Sequence, residues 1–272
     1  MTITFSDVCF GFLLSLLAGL ATGAGAAVAF FMKKTDTKLL TFALGSSAGV
    51  MVYISFVELL QTARGTLMDV RGESAGGWCA SAAFFGGILL AALIDKLVPE
   101  DENPHEVPAL PCRLPEERAA ETRSPGVRRS GMLFALAIAI HNFPEGIATL
   151  ASALSSEALG VSVAAAVAVH NIPEGIAVAV PLYYGTGSRR KAFLLSFLSG
   201  LAEPLGAGLA ALFLMPFITP ALIAVLFALV AGIMVYISFD ELLPMAERWG
   251  HHHLSIYGVV LGMLLMAVIL AL

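Results

Sequence analysis

Charge is scarce in this chain of 272 residues. Asp, Glu, Lys and Arg make up 13% of it against 58% hydrophobic residues, where a soluble domain carries about 25% charged residues. With a mean hydropathy of +0.87, that excludes an ordinary soluble domain and points to a membrane protein. Cysteine is nearly absent too. Cys9, Cys79 and Cys112 stand far apart with no CxxC spacing, which argues against a disulfide framework or a thiolate metal site. No GxxxxGK[ST] loop occurs, so no ATPase engine is legible. HExxH is missing as well, which counts against a zinc-hydrolase reading. The first apolar stretch lacks a basic leader, so it is expected to stay as a helix rather than to act as a cleaved signal peptide.

What is present is apolar sequence in long runs. Eight candidate spans lie at about 8–32, 39–61, 76–98, 131–154, 158–184, 192–215, 219–243 and 254–272. These far exceed the roughly 10 residues of a barrel strand, so the expected fold is all-α, a polytopic integral membrane protein of eight transmembrane helices. With the N-terminus outside, thirteen Lys and Arg fall in inner loops and only Arg64 and Arg71 in outer ones. The positive-inside rule then predicts both termini outside. Segment 99–130 holds six prolines and mixed charge, and it reads as a flexible cytoplasmic loop inside one transmembrane domain, 1–272.

Two stretches recur. "AGVMVYISFVELL" (48–60) returns as "AGIMVYISFDELL" (231–243), and "HNFPEGIA" (141–148) returns as "HNIPEGIA" (170–177). The first pair falls in spans two and seven, the second in spans four and five. Each pair therefore runs in opposite directions, which predicts a 3+2+3 inverted repeat. That organisation is a secondary-transporter signature, with its binding site near the bilayer midplane. Duplicated helices that merely pack alike are the plainer reading.

The cassettes have a chemistry. Residues i and i+4 share a helix face, so His141 pairs with Glu145 and His170 with Glu174. Asn142 and Asn171 lie on the adjoining flank. At 1.5 Å per residue, both cassettes sit roughly 15–18 Å inside their spans, near the middle of the bilayer. Antiparallel helices would place His141 level with Glu174, and Glu145 level with His170. Buried carboxylates cost about 2.5–3.5 kcal/mol each on insertion scales, and a divalent cation would offset that. Imidazole and carboxylate suit Zn²⁺ and Fe²⁺. Pro144 and Pro173 free the carbonyls of Ile140 and Val169 and predict kinks. Gly146 and Gly175 permit close backbone approach. Glu203, in "SGLAEPLGAG", is a third midplane acid. Polar glue between helices is the bland alternative. A membrane metalloenzyme with a di-metal His/Glu centre is the functional one.

Paired HNxPEG motifs in spans four and five resemble the ZIP (ZRT/IRT-like) metal-ion transporters, and with "SGLAEP" a bacterial branch of that family. The resemblance spans essentially the whole chain. It implies uptake of Zn²⁺ and Fe²⁺, and of Mn²⁺, Co²⁺ and Cd²⁺, as transported substrates across the bacterial cytoplasmic (inner) membrane, with no organic cofactor. The lipid bilayer and divalent ions are the expected partners, a homodimer is left open, and no nucleic acid is expected. The resemblance maps a zinc-type site to His141, Glu145, His170 and Glu174. It maps an iron-type site to Asn142, Glu145, Asn171, Glu174 and Glu203. By the same analogy, helices one, four, five and six move against two, three, seven and eight.

Weaker signals remain. His251, His252 and His253 fall in a short inner loop and read first as a solvated turn, second as a metal-release station. Asp95 and Asp240 are candidates for lining the exit, and Glu58 and Glu241 read as interface or cap residues. "GSSAG" (45–49) matches the esterase pattern without its strand–turn–helix context, so Ser47 is not taken as a nucleophile.

Overall fold

The computed structural model describes residues 4–31, 37–97, 125–247 and 250–271. Among the described residues the secondary structure is entirely helical. It comprises eight rods: α1 (Phe5–Phe31), α2 (Thr37–Ile54, a π-helical turn Ser55–Leu59, then Leu60–Arg71), α3 (Glu73–Leu97), α4 (Pro125–Ser155), α5 (Glu157–Thr186), α6 (Arg189–Gly200 and Ala202–Leu214), α7 (Pro220–Ile237, a π-helical turn Ser238–Leu242, then Leu243–Glu247) and α8 (His252–Ala271).

Local signals set the ends. Ser156 is extended and its side chain caps α5 by accepting from the Leu159 N–H at 3.1 Å. It is the only residue between α4 and α5, so the two cassette helices fold straight back on each other. Gly187, with φ of 65°, closes α5 in the left-handed conformation that glycine favours. Ser188 and Thr219 cap α6 and α7 in the same way as Ser156, and Pro220 takes the first turn of α7, where a missing N–H costs nothing.

Among the described residues, seven of the eight rods are long and apolar enough to cross a membrane. Two expectations need correction. Helix α4 starts at Pro125, so positions 125–130 are helical rather than loop; residues 98–124 lie outside the described residues. His252 and His253 belong to the first turn of α8 rather than to a loop.

The packing puts polar groups inside and apolar ones outside, as lipid demands. Leu13 and Leu17 on α1, Trp78 and Phe85 on α3, Leu212 and Phe213 on α6, and Tyr257 and Leu264 on α8 are all exposed. Helix α1 packs on α5, α4 on α6, α2 on α8, and α3 on α7. Glycines set the spacing. A Cβ on Gly49 would overlap the Val259 carbonyl, and one on Gly262 the Ser46 carbonyl; on the other side, a Cβ on Gly232 would overlap the Phe84 carbonyl, and one on Gly87 the Leu229 carbonyl. Such contacts let backbones meet directly and gain dispersion along the whole crossing.

Candidate metal centre

Both cassettes lie in unbroken helices, with Pro144 inside α4 and Pro173 inside α5. The polar residues they carry point inward. Asn142, Glu145, His170, Asn171, Glu174 and, from α6, Glu203 are each at most 1% exposed. The side chain of His141 lies outside the described residues. His170 Nε2 stands 3.0 Å from Glu145 Oε1, so these two residues are level, as antiparallel pairing predicts. Glu203 lies within electrostatic reach of both Glu145 and Glu174. Three carboxylates from three helices therefore share one buried layer.

The amides are held by backbone. Asn142 donates from Nδ2 to the Ser199 carbonyl at 3.2 Å, and Asn171 donates to the Ala18 carbonyl at 2.9 Å. Asn171 also donates to Glu203 Oε1. Fixing each amide nitrogen fixes where the amide oxygen points. Oδ1 of Asn142, Oδ1 of Asn171 and Oε2 of Glu203 are buried and accept no hydrogen bond among the described residues. A buried acceptor without a donor costs roughly 1–3 kcal/mol, and three of them in one layer form a donor set for a hard or borderline cation. Among the described residues, no three His, Cys, Asp or Glu side chains are grouped closely enough to hold a metal by themselves.

The glycines of the cassettes explain how three helices come so close. A Cβ on Gly146 would overlap the Glu203 carbonyl, and one on Gly175 the Thr22 carbonyl. In return, a Cβ on Gly206 would overlap the Phe143 carbonyl and one on Gly25 the Ile172 carbonyl. Each cassette helix is thus locked face to face with one partner, α4 with α6 and α5 with α1. Ser196 on α6 donates to the Gly175 carbonyl at 3.1 Å. Ser47 is buried in α2, where its hydroxyl lies 3.4 Å from the His170 carbonyl. It is a structural donor beside the site.

The remaining candidates sit elsewhere. Asp240 and Glu241 lie in the π-helical turn of α7, and with Asp95 of α3 they surround Tyr236, which hydrogen-bonds Asp240. Glu241 is buried. Glu58 is half-buried and accepts from Thr62 Oγ1 at 3.1 Å. His251 reaches Thr37 Oγ1 at 3.3 Å, and His252 Nδ1 reaches Glu247 Oε1 at 2.8 Å. The three histidines are thus spread along the start of α8, apart from the buried layer.

Known proteins are similar to this chain along nearly its whole length. A family model described as ZIP zinc transporter matches residues 99–270. The chain is 66% identical over 270 residues to the zinc transporter ZupT of Akkermansia muciniphila, covering 99% of this chain and 100% of that protein. It is 56% identical to the zinc transporter ZupT of Nitratidesulfovibrio vulgaris (98% of each chain), and 51% identical to that of Clostridium perfringens (98% of this chain, 97% of the relative). Likeness of this extent is to transporters rather than to enzymes: the chain is an integral membrane protein that belongs to the ZIP zinc transporter family.

Proposed function

We propose that this chain is a secondary transporter that takes Zn²⁺ into the bacterial cell. Fe²⁺ is a second substrate, and Mn²⁺, Co²⁺ and Cd²⁺ are further ones. The observation that carries this reading is the buried layer itself. It gathers three carboxylates, two backbone-anchored amides and an imidazole from α4, α5 and α6, with Oδ1 of Asn142, Oδ1 of Asn171 and Oε2 of Glu203 turned to no donor among the described residues. The site is binuclear. His141, Glu145, His170 and Glu174 hold the zinc-type ion. Asn142, Glu145, Asn171, Glu174 and Glu203 hold the iron-type ion, and glutamates 145 and 174 bridge. The metals are cargo, and no organic cofactor is needed.

The scaffold is a 3+2+3 inverted repeat. Matched glycine contacts support it: Gly146 on Glu203 answers Gly175 on Thr22, and Gly49 on Val259 answers Gly232 on Phe84. The π-helical turns of α2 and α7 fall at the same point of the repeated segment. Repeats of this kind suit alternating access, in which one set of helices rocks against another around a fixed site. Both termini lie outside, by the distribution of Lys and Arg. Asp95 and Asp240 line the inner end of the path. Two charges moving inward gain about 4.6 kcal/mol per 100 mV of inside-negative potential.

Radiolabelled zinc uptake into sealed proteoliposomes tests the reading. Uptake should saturate and be lost in Glu174→Ala. Folded protein in sealed vesicles that takes up no zinc would sink the proposal. Selectivity tests the division into two sites: His170→Ala should impair zinc more than iron, and equal losses would contradict the assignment.

A further inference from the structure

Thr22 is fully buried in α1, and its hydroxyl has no hydrogen-bond partner among the described residues. A helical threonine hydroxyl can donate to the carbonyl four residues back, as that of Thr186 does to Leu182. Here that acceptor is Ala18 O, and it takes the Asn171 amide instead. The residue is also wedged into the site. Its carbonyl lies against Gly175, next to Glu174, and a Cβ on Gly200 would come within 2.7 Å of Thr22 Cβ and 2.9 Å of its Oγ1.

The surroundings of Thr22 repeat those of Glu203. Ala18 accepts from Asn171 as Ser199 accepts from Asn142. Gly19 and Gly200 each meet the other's carbonyl. The Thr22 carbonyl meets Gly175 as the Glu203 carbonyl meets Gly146, and Gly25 meets Ile172 as Gly206 meets Phe143. One register aligns all four pairs. The sequences agree with it: "AGLATGAG" (18–25) against "SGLAEPLG" (199–206) shares Gly, Leu, Ala and Gly in place. In that register threonine stands where the other half has its glutamate.

We infer that Thr22 is a positioning residue of the metal centre, whose hydroxyl holds a metal-bound water in the place that Glu203 fills with a carboxylate in the other half. The inference rests on the binuclear reading above. A threonine hydroxyl branches from Cβ, two carbons short of a glutamate oxygen, and one water spans such a gap. Divalent ions commonly keep waters in this way, and a bridging water bonds nearly as well as a direct contact. The substitution also sets the charge. Two divalent ions meet three carboxylates here; a fourth would neutralise the loaded centre and hold the ions more tightly. A transport site must bind well enough to load and weakly enough to release.

The test uses the full chain, purified in detergent and titrated with Zn²⁺ at equilibrium. Thr22→Val keeps the shape and removes the hydroxyl, and it should weaken zinc binding about tenfold, as loss of a supporting hydrogen bond does at metal sites. Thr22→Ser should restore it. The exchange Thr22→Glu with Glu203→Thr should bind more tightly than Glu203→Thr alone, because the carboxylate has moved to its matched position. Unchanged binding in Thr22→Val overturns the inference. So does a serine variant as weak as the valine one, which would make Thr22 a packing residue, or a folded exchange variant no better than Glu203→Thr. Wild-type binding that ignores Glu174→Ala would remove the binuclear reading itself. Binding that needs Glu174 but ignores Thr22 removes this inference alone.

Discussion

The π-helical turns of α2 and α7 are spelled SFVEL (55–59) and SFDEL (238–242). Their backbones follow the same path, and each inserts an extra residue into a long helix, a feature that recurs at functional sites. Their chemistry differs. In α2 the turn presents Val57 to the outside, and Glu58 is satisfied by the neighbouring Thr62 hydroxyl. In α7 Asp240 takes the place of Val57, Glu241 is buried, and Asp95 of α3 joins them around Tyr236. The backbone is duplicated and the charge is not. In the proposed inverted arrangement direction arises only where the halves differ, and here the turn of α7 and its neighbour α3 bring together Asp95, Asp240 and Glu241 where the turn of α2 carries Glu58.

The strongest way to break the comparison is to attack what the halves share. Gly146→Val and Gly175→Val each push a side chain into a carbonyl of the partner helix, Glu203 in one case and Thr22 in the other. Backbone cannot yield as a flexible side chain does, so each variant should lose about 1–3 kcal/mol by overpacking and most of its uptake. Thermal unfolding in detergent measures the first, proteoliposome uptake the second. Similar losses keep the halves equivalent at their crossings. A loss confined to one variant breaks the equivalence.

Much of this was legible beforehand, and the exceptions share a cause. Hydropathy located all eight rods, and the cassette spacing placed Glu145 level with His170, because helical periodicity and antiparallel order suffice for both. Helix boundaries were less legible: Pro125 opens α4 inside a proline-rich segment, where the residue that breaks one helix also favours the first turn of another. The likeness of α1 to α6 lies in Gly19, Thr22 and Gly25 against Gly200, Glu203 and Gly206. In an apolar helix such glycines look like any others until the partner carbonyls are known. The anchoring of Asn142 and Asn171 on Ser199 and Ala18 was hidden for the same reason, since a backbone carbonyl carries no residue-specific signal. The π-helical turns were hidden because "ISFVELL" is compatible with an ordinary α-helix, and the extra residue emerges only from packing.

A gentler probe takes away what the halves do not share. Asp240→Val rewrites the turn of α7 as that of α2, leaving Asp95 and Glu241 in place. Uptake should slow several-fold in maximal rate while the zinc concentration at half-saturation changes little, because the substitution lies outside the buried layer of α4, α5 and α6. Glu58→Gln, at the other turn, should do less. Initial-rate measurements across zinc concentrations separate the two quantities. Equal effects of the two variants would show that the acidic turn confers no direction.

The smallest effect should come from the histidines at the start of α8, which lie near that acidic turn in sequence but not in the cluster around Tyr236. His252 is 64% exposed and Glu247 is 47% exposed, at a separation of 2.8 Å. A pair this open is screened by solvent and adds little to stability or function. His252→Ala and His253→Ala, alone or together, should change the zinc uptake rate by less than about twofold, since exposed pairs of this kind contribute little. His251 differs because it is half-buried and reaches Thr37 at the start of α2, so His251→Ala should lower thermal stability slightly before it alters uptake. A large fall in uptake from His252→Ala, with folding intact, would move the histidines from a solvated helix start into the release path. It would also extend the asymmetry of the two halves beyond the π-helical turns.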